Sequence, residues 1–268
     1  MRFRKIHGAG NDFVLITDPE SRDTSVWAEL AERLCTRQTG VGADGLVFSH
    51  PSDEDPEVLE VTYFNSNGLL ATMCGNALRC AAWAAHDDSR GAKKEMKLRM
   101  AGVMHEAIVD ADSVWVTAEV NAIELRRLQI VVNGQPTWFD SVHTGTEHVV
   151  AIVSDVAAVE AEAVGRIVRH HHRVAPLGTN VNFVQHLGDQ ALKVRTYERG
   201  VEAETLSCGS GAVAAVVVAT VRGLVAKRAV TVHNESGDPL VVRPHTHRPH
   251  RAAWLGGPVT HTFSGVIA

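Results

Sequence analysis

What this chain lacks narrows it quickly. No run of eighteen apolar residues occurs. The longest, AVAAVVVATV over residues 212–221, is far too short to span a membrane. There is no basic excess: 26 Lys and Arg stand against 31 Asp and Glu, for a net charge of −5. That balance argues against a general nucleic-acid binder, because a face-wide basic patch would need a large acidic one elsewhere. Cysteine is scarce, four in 268 residues, and no CxxC is present. Neither the disulfide framework of a small secreted domain nor a zinc pattern fits. No G-x-x-x-x-G-K-[ST] loop and no G-x-S-x-G elbow occur, and the few lysines lie in no recognisable pyridoxal-phosphate context. The opening MRFRKIHGAGNDF has basic residues but no apolar h-region. No secretory signal is read there, and a cytoplasmic location is expected.

Of the four cysteines, two stand out. Cys74 opens CGNALRCAAWAA and Cys208 opens CGSGAVAAVVVA, half a chain length apart. In each run a Gly, a small polar residue and an alanine-rich helical stretch follow. A helix N-terminus offers unpaired N–H groups and a partial positive charge. Such a place lowers a thiol's pKa and binds a carboxylate. Two such thiols facing one carbon from opposite sides would do acid–base chemistry on both of its faces. Cys35, in AELAERLCTR, and Cys80, deeper in the Cys74 run, read as small buried apolar residues.

The two halves share an order of elements. FRKIHG and FVLITD read as strands around a Gly-rich turn, and SVWAELAERLCTR as a helix with Ser25 as N-cap. TGVGADGLVFSH is a Gly loop entering a strand, and LEVTYFNSNG a strand ending in a turn before the Cys74 helix. KKEMKLRMAG, VMHEAIVDADS and VWVTAEV continue as a β-meander. Residues 118–137 give a mixed signal, which sets the domain boundary: 1–118 carrying Cys74, and 119–268 carrying Cys208. In the second half, TWFDSVHTGTEHVVAIV reads as strand, turn, strand. EAEAVGRIVRHHH reads as helix, LGTNVNFVQHL and ALKVRTYERGV as strands before the Cys208 helix, and three more strand segments follow. Asn precedes a Phe-Val pair in both GAGNDFV and TNVNFV. Asn65 lies nine residues before Cys74, and Glu198 ten before Cys208. The pattern is a two-fold duplication rather than a solenoid array.

Other motifs weigh less. TGVGADG holds G-x-G-x-x-G at Gly40, Gly42 and Gly45, but a helix precedes it and a strand follows, the reverse of a dinucleotide fingerprint. It reads as a structural turn. Among 15 histidines, His170, His171 and His172 form a run, and His245, His247 and His250 a second cluster. Neither has a well-spaced set of metal ligands, so no metal is expected. Glu198 and Arg199 adjoin the Cys208 helix. They read as a surface ion pair or as clamps for a substrate ammonium and carboxylate. Asn11, Asn65 and Asn180 are turn-forming by default, and their placement near the cysteines suggests substrate contact.

HGAGNDFV (7–14), TGVGADG (39–45), FNSNG (64–68), MCGN (73–76), YERG (197–200), CGSGA (208–212) and the closing LGGPVTHTFSG together resemble the diaminopimelate epimerase family over essentially the whole chain. The resemblance implies an α/β (α+β) fold of two pseudo-symmetric domains, each a curved, mostly antiparallel sheet wrapped around a central helix. The active site is expected between the domains, with the final strand packing back on the first. It implies a cofactor-independent epimerase of LL- and meso-diaminopimelate with Cys74 and Cys208 as catalytic thiols. Asn11, Asn65, Asn180, Glu198 and Arg199 correspond to substrate contacts, and Gly75, Asn76, Gly209 and Ser210 to backbone donors at the helix starts. The expected partner is a small amino-acid substrate, and a homodimer is expected from the family alone. The chain also departs from the pattern. The family's Gly-Asn-Pro-His reads Gly145, Thr146, Glu147, His148. CGNGARC reads CGNALRC, and one extra residue falls around Glu202 and Ala203. The reacting end is intact and the distal end altered. The alternatives are a related racemase for another amino acid and, from another class, a redox-sensing or non-catalytic member of the fold.

Overall fold

A computed structural model describes residues 1–19, 23–174, 176–248 and 251–267, with the side chains of 121–124 excepted. His250 of the second histidine cluster lies outside these residues. The chain divides into two compact units, Met1–Val116 with Gly257–Ala268, and Thr117–Gly256.

The first unit contains β1 (Arg2–Gly8), β2 (Asn11–Thr17), α1 (Thr24–Cys35), β3 (Gly45–Pro51), β4 (Val58–Asn65), α2 (Gly75–Asp88), β5 (Glu95–Met100), β6 (Val103–Val109) and β7 (Val114–Glu119). From β1 to β7 successive strands pair antiparallel, parallel, antiparallel, parallel, antiparallel, antiparallel. Each parallel step is bridged by a helix, α1 or α2, because a parallel pair needs a crossover. The second unit contains β8 (Asn121–Val132), β9 (Gln135–His143), β10 (Glu147–Ile152), α3 (Ala161–Arg169), β11 (Asn180–Gly188), β12 (Ala191–Glu198), the short β13 (Ala203–Thr205), α4 (Gly209–Val221), β14 (Val230–His233), β15 (Leu240–Pro244) and β16 (Ala252–Gly257). From β9 onward the steps repeat: antiparallel to β10, parallel to β11 across α3, antiparallel to β12, parallel to β14 across α4, antiparallel to β15. The duplication seen in the motifs is thus a duplication of topology. The last strand, β17 (Val259–Val266), pairs antiparallel with β1 in the first unit.

The helices differ in kind because their sequences do. In α1 the buried residues are Trp27, Leu30, Ala31, Leu34 and Cys35, one stripe at helical spacing. That stripe packs into a cluster with Val14, Leu46, Phe48 and Phe64 on one face of the sheet. The corresponding α3 buries Ala161, Gly165 and Val168 against Val149, Val181, Phe183 and Tyr197. By contrast, α2 and α4 are enclosed. Ala77, Leu78, Cys80, Ala81, Ala82 and Ala84 of α2 are fully buried, as are Val213, Ala214, Ala215, Val218 and Ala219 of α4. Their small side chains let sheet strands approach closely, and a helix apolar on every side belongs inside a core.

Two local expectations are corrected, and the stretch of mixed signal resolves into strands. The N-cap of α1 is Asp23, not Ser25; its carboxylate accepts from Ser25 N at 2.9 Å and Ser25 Oγ at 2.8 Å. An ionised carboxylate two residues upstream is the better acceptor for the helix's first free N–H groups. Residues 118–137, where the sequence signal is mixed, hold the end of β7, then β8 and the start of β9, joined by a two-residue turn at Asn133-Gly134 with φ of 49° and 77°. The outward-facing Val131 and Trp138 are exposed, and they blurred the alternation there. The α3 helix ends at Arg169 with His170 as C-cap, and His172–Val174 forms a separate 3₁₀ turn rather than a helical continuation.

Candidate active site

In both units the strand-to-helix step leaves a cysteine as N-cap. Cys74 is extended (φ −151°, ψ 105°), and its Sγ accepts from Ala77 N at 3.4 Å. Cys208 is extended (φ −119°, ψ 112°), and its Sγ accepts from Gly211 N at 3.4 Å. A cap is ordinarily Ser, Thr, Asp or Asn, whose oxygen takes this bond. Sulfur in that place gains from the same N–H and the same end of the helix dipole, both of which favour thiolate. Gly75 and Asn76, and likewise Gly209 and Ser210, are the first residues of their helices, where N–H groups point at an incoming anion.

Around Cys74 the amides are tied to one another. The thiol lies 3.9 Å from Asn11 Oδ1, which also accepts from Asn76 Nδ2 at 3.1 Å. Asn11 Nδ2 donates to Asp44 Oδ2 at 2.8 Å. Asp44 belongs to a charged cluster with Arg37, Asp12 and Lys5, drawn from β1, β2 and the loop before β3. Burial raises Asp12, but hydrogen bonds from Lys5 and Arg37 outweigh it and hold the carboxyl below its ordinary value. Burial pushes Asp44 up, the Asn11 bond opposes this, and the Asp12 charge adds to it. The Gly loop has a packing reason: a Cβ at Gly45 would meet Tyr63 Cε2 at 2.3 Å and Phe64 O at 2.4 Å. Asn65 ends β4, where its Oδ1 accepts from Tyr63 OH at 3.0 Å and its Nδ2 donates to Leu69 O at 3.2 Å.

Around Cys208 a buried relay reaches the sulfur. Asn182 Nδ2 donates to Val149 O at 3.1 Å and to His148 Nδ1 at 3.0 Å. Val149 O only accepts, which fixes the amide's orientation and leaves His148 Nδ1 as acceptor. His148 Nε2–H then donates to Ser210 Oγ at 3.0 Å, and Ser210 Oγ lies 3.5 Å from Cys208 Sγ with its own proton available to the sulfur. Burial, reinforced by the Arg199 and His143 charges, lowers His148 to about 3, so the ring is neutral, as this relay requires. Neither His148 nor Asn182 is marked as a site residue by any sequence motif. Asn182 stood in TNVNFV, but only strand register brings it beside His148.

A further set of groups meets around Arg199. Arg199 Nη1 donates to Glu147 Oε2 and its Nη2 to Thr146 Oγ1, both at 2.7 Å. Asn180 Oδ1 accepts from Arg199 N at 2.8 Å, and its Nδ2 donates to Glu147 O at 3.1 Å. Glu198 Oε2 accepts from Thr205 Oγ1 at 2.8 Å. Arg199 is therefore paired, with Glu147 rather than with its neighbour Glu198. The region of the extra residue is absorbed in the turn before β13. There Glu202 takes φ 58° and binds Arg169 Nε at 3.1 Å. Cys35 and Cys80 are buried, and burial pushes both thiols up, Cys35 to about 12. Neither ionises near neutrality.

Two sheet-and-helix units of one topology, each presenting a thiol at a helix start, define a racemase-like class of fold. The phenazine biosynthesis protein of Enterococcus faecalis shares it at a TM-score of 0.73, with 12% identity, 98% of this chain and 97% of that one. A hydroxyproline epimerase from Agrobacterium vitis shares it at 0.72, with 15% identity, 99% of this chain and 91% of that one. In sequence, the family model for diaminopimelate epimerase matches residues 3–122 and 141–259. The diaminopimelate epimerase of Aquifex aeolicus is 35% identical over 275 residues, covering 100% of this chain and 98% of the relative. The chain belongs to the diaminopimelate epimerase family, and it is an isomerase. Among the described residues, no helix is long and apolar enough to cross a membrane.

Proposed function

We propose that this chain interconverts LL- and meso-diaminopimelate, a step toward lysine and cell-wall peptide, by a two-base mechanism without an organic cofactor or metal. Its halves, 1–118 and 119–268, each supply one thiol, Cys74 and Cys208. One cysteine as thiolate removes the α-proton, and the other as thiol delivers one to the opposite face. The C–H electron pair passes into the α-carboxylate system as a carbanion and returns to the new C–H bond. The N–H groups of Gly75, Asn76, Gly209 and Ser210 stabilise that charge by preorganised electrostatics. Reversal exchanges the two sulfurs' roles, so the pair shares one proton and titrates as a unit. Asn11, Asn65 and Asn180 orient substrate, Glu198 takes a substrate ammonium, and Arg199 a carboxylate. The family carries with it the expectation of a homodimer in the cytoplasm.

The observation that carries this reading is the same cap at both cysteines, sulfur to a backbone N–H at 3.4 Å in each unit. The test is incubation of reduced protein with diaminopimelate isomers and a panel of other amino acids in heavy water. α-Deuterium incorporation into diaminopimelate is expected. Exchange confined to other amino acids would move the substrate, and no exchange at all would end the proposal.

The Glu147–Arg199 pair supplies a prediction about the distal end. An incoming carboxylate must displace Glu147, whose side chain is 40% exposed, from Arg199. Glu147→Gln should lower KM for diaminopimelate about threefold with kcat little changed, since a partly exposed pair of this kind is worth at most ~1 kcal/mol. An increase in KM would show that Glu147 helps to hold substrate.

A further inference from the structure

Among the described residues, a buried cation in α2 has no carboxylate in an ion pair with it. Arg79 is fully buried, about one and a half turns past Cys74. Its Nη2 donates to Asn76 Oδ1 at 2.9 Å. Among the described residues, its Nε and Nη1 have no hydrogen-bond partner. A guanidinium so placed is costly unless something repays the desolvation. Gly8 lies against it: a Cβ there would stand 2.9 Å from Arg79 Nη2.

Among the described residues, neighbouring elements place no carboxylate on it. Arg4 of β1 is drawn to Asp87 and Asp88 at the far end of the helix. His261 of β17 lies against Trp83, and the buried His105 of β6 is no carboxylate. The acid reached by the hydrogen-bond chain is Asp44, through two amides, Asn76 and then Asn11. Two thiols remain close enough to act on the guanidinium, Cys80 and Cys74. Burial keeps Cys80 protonated.

We propose that Arg79 is a positioning residue for Cys74. Its fixed charge is balanced by the Cys74 thiolate, and its bond to Asn76 holds the Asn76–Asn11 pair that faces the sulfur. In this arrangement the resting negative charge of the two-cysteine system is biased toward Cys74. Desolvation lowers the guanidinium to about 10, a negative charge on Cys74 opposes it, and Arg79 stays protonated at neutral pH. The inference rests on the reading of Cys74 as an acid–base group.

The test compares Arg79→Met, Arg79→Lys and Arg79→Gln in the full chain. Iodoacetamide alkylation of Cys74 is measured at pH 7 by peptide mass, alongside thiolate absorbance near 240 nm. For Arg79→Met, alkylation of Cys74 should slow about tenfold, a shift of one pKa unit, with Cys208 little affected. Arg79→Lys should recover most of that rate, and in the neutral variants kcat should fall along with the alkylation rate while KM stays within about twofold. If Met does not fold, Gln against Lys gives the same contrast of neutral against charged. Equal alkylation in the neutral variants and the wild type would overturn the proposal, as would failure of Lys to rescue. The thiol readout needs no substrate, so it stands or falls separately from the diaminopimelate assay.

Discussion

Cys74→Ala and Cys208→Ala should each lose epimerisation, by about 10²–10⁴-fold or more in kcat. The expectation follows from the sign of the chemistry. Inversion needs a base on one face of the α-carbon and an acid on the other, so loss of either sulfur removes one of the two groups. His148 is neutral and its Nε2–H is directed at Ser210, so it cannot take over as base. The single variants should differ in what they keep. Each retains one sulfur, so each should exchange the α-proton of one epimer with solvent while returning it to the same face. Chiral analysis of the deuterated product separates this retention from inversion. Cys80→Ala is the control: its thiol is buried and held protonated, so activity should persist with a modest loss of stability. Full turnover by either active-site variant would contradict the two-base scheme.

The parts of this arrangement that sequence exposes are the parts carried by local chemistry. A cysteine followed by Gly and a small polar residue, then by alanine, announces a helix start. Its repetition half a chain later announces a duplicated unit. The enclosed character of α4 could be read from a run containing almost nothing but Ala and Val. What sequence does not carry depends on register or on burial. Arg199 meets Glu147 only because β10, β11 and β12 pair in one particular offset, and no spacing rule joins residues so far apart. Arg79 resembles an ordinary helix residue until its whole side chain is found enclosed. The β8–β9 hairpin was signalled by Asn133-Gly134, but exposed Val131 and Trp138 hid its alternation.

Gly211→Ala separates local propensity from packing at the second thiol. Helix propensity alone predicts a gain of about 1 kcal/mol, since Gly211 lies in the first turn of α4. Contact predicts the reverse. A Cβ at Gly211 would stand 2.4 Å from Asn182 Oδ1 and 3.2 Å from Cys208 Sγ. Asn182 has nowhere to retreat: it is fully buried, its Oδ1 accepts from Thr196 Oγ1 at 3.0 Å, and its Nδ2 serves His148 and Val149. Overpacking together with a lost buried hydrogen bond should cost about 2–4 kcal/mol. The damage should also reach the chemistry. Moving Asn182 releases His148 from its orientation toward Ser210, and moving the Gly211 N–H withdraws the bond to Cys208. Urea unfolding should therefore show a lower midpoint with an unchanged m-value, and kcat measured well below that midpoint should fall more than tenfold. A variant as stable as the wild type would mean that the α4 start yields easily, and the close fit of Gly211 against Asn182 would then have no part in holding the Cys208 sulfur.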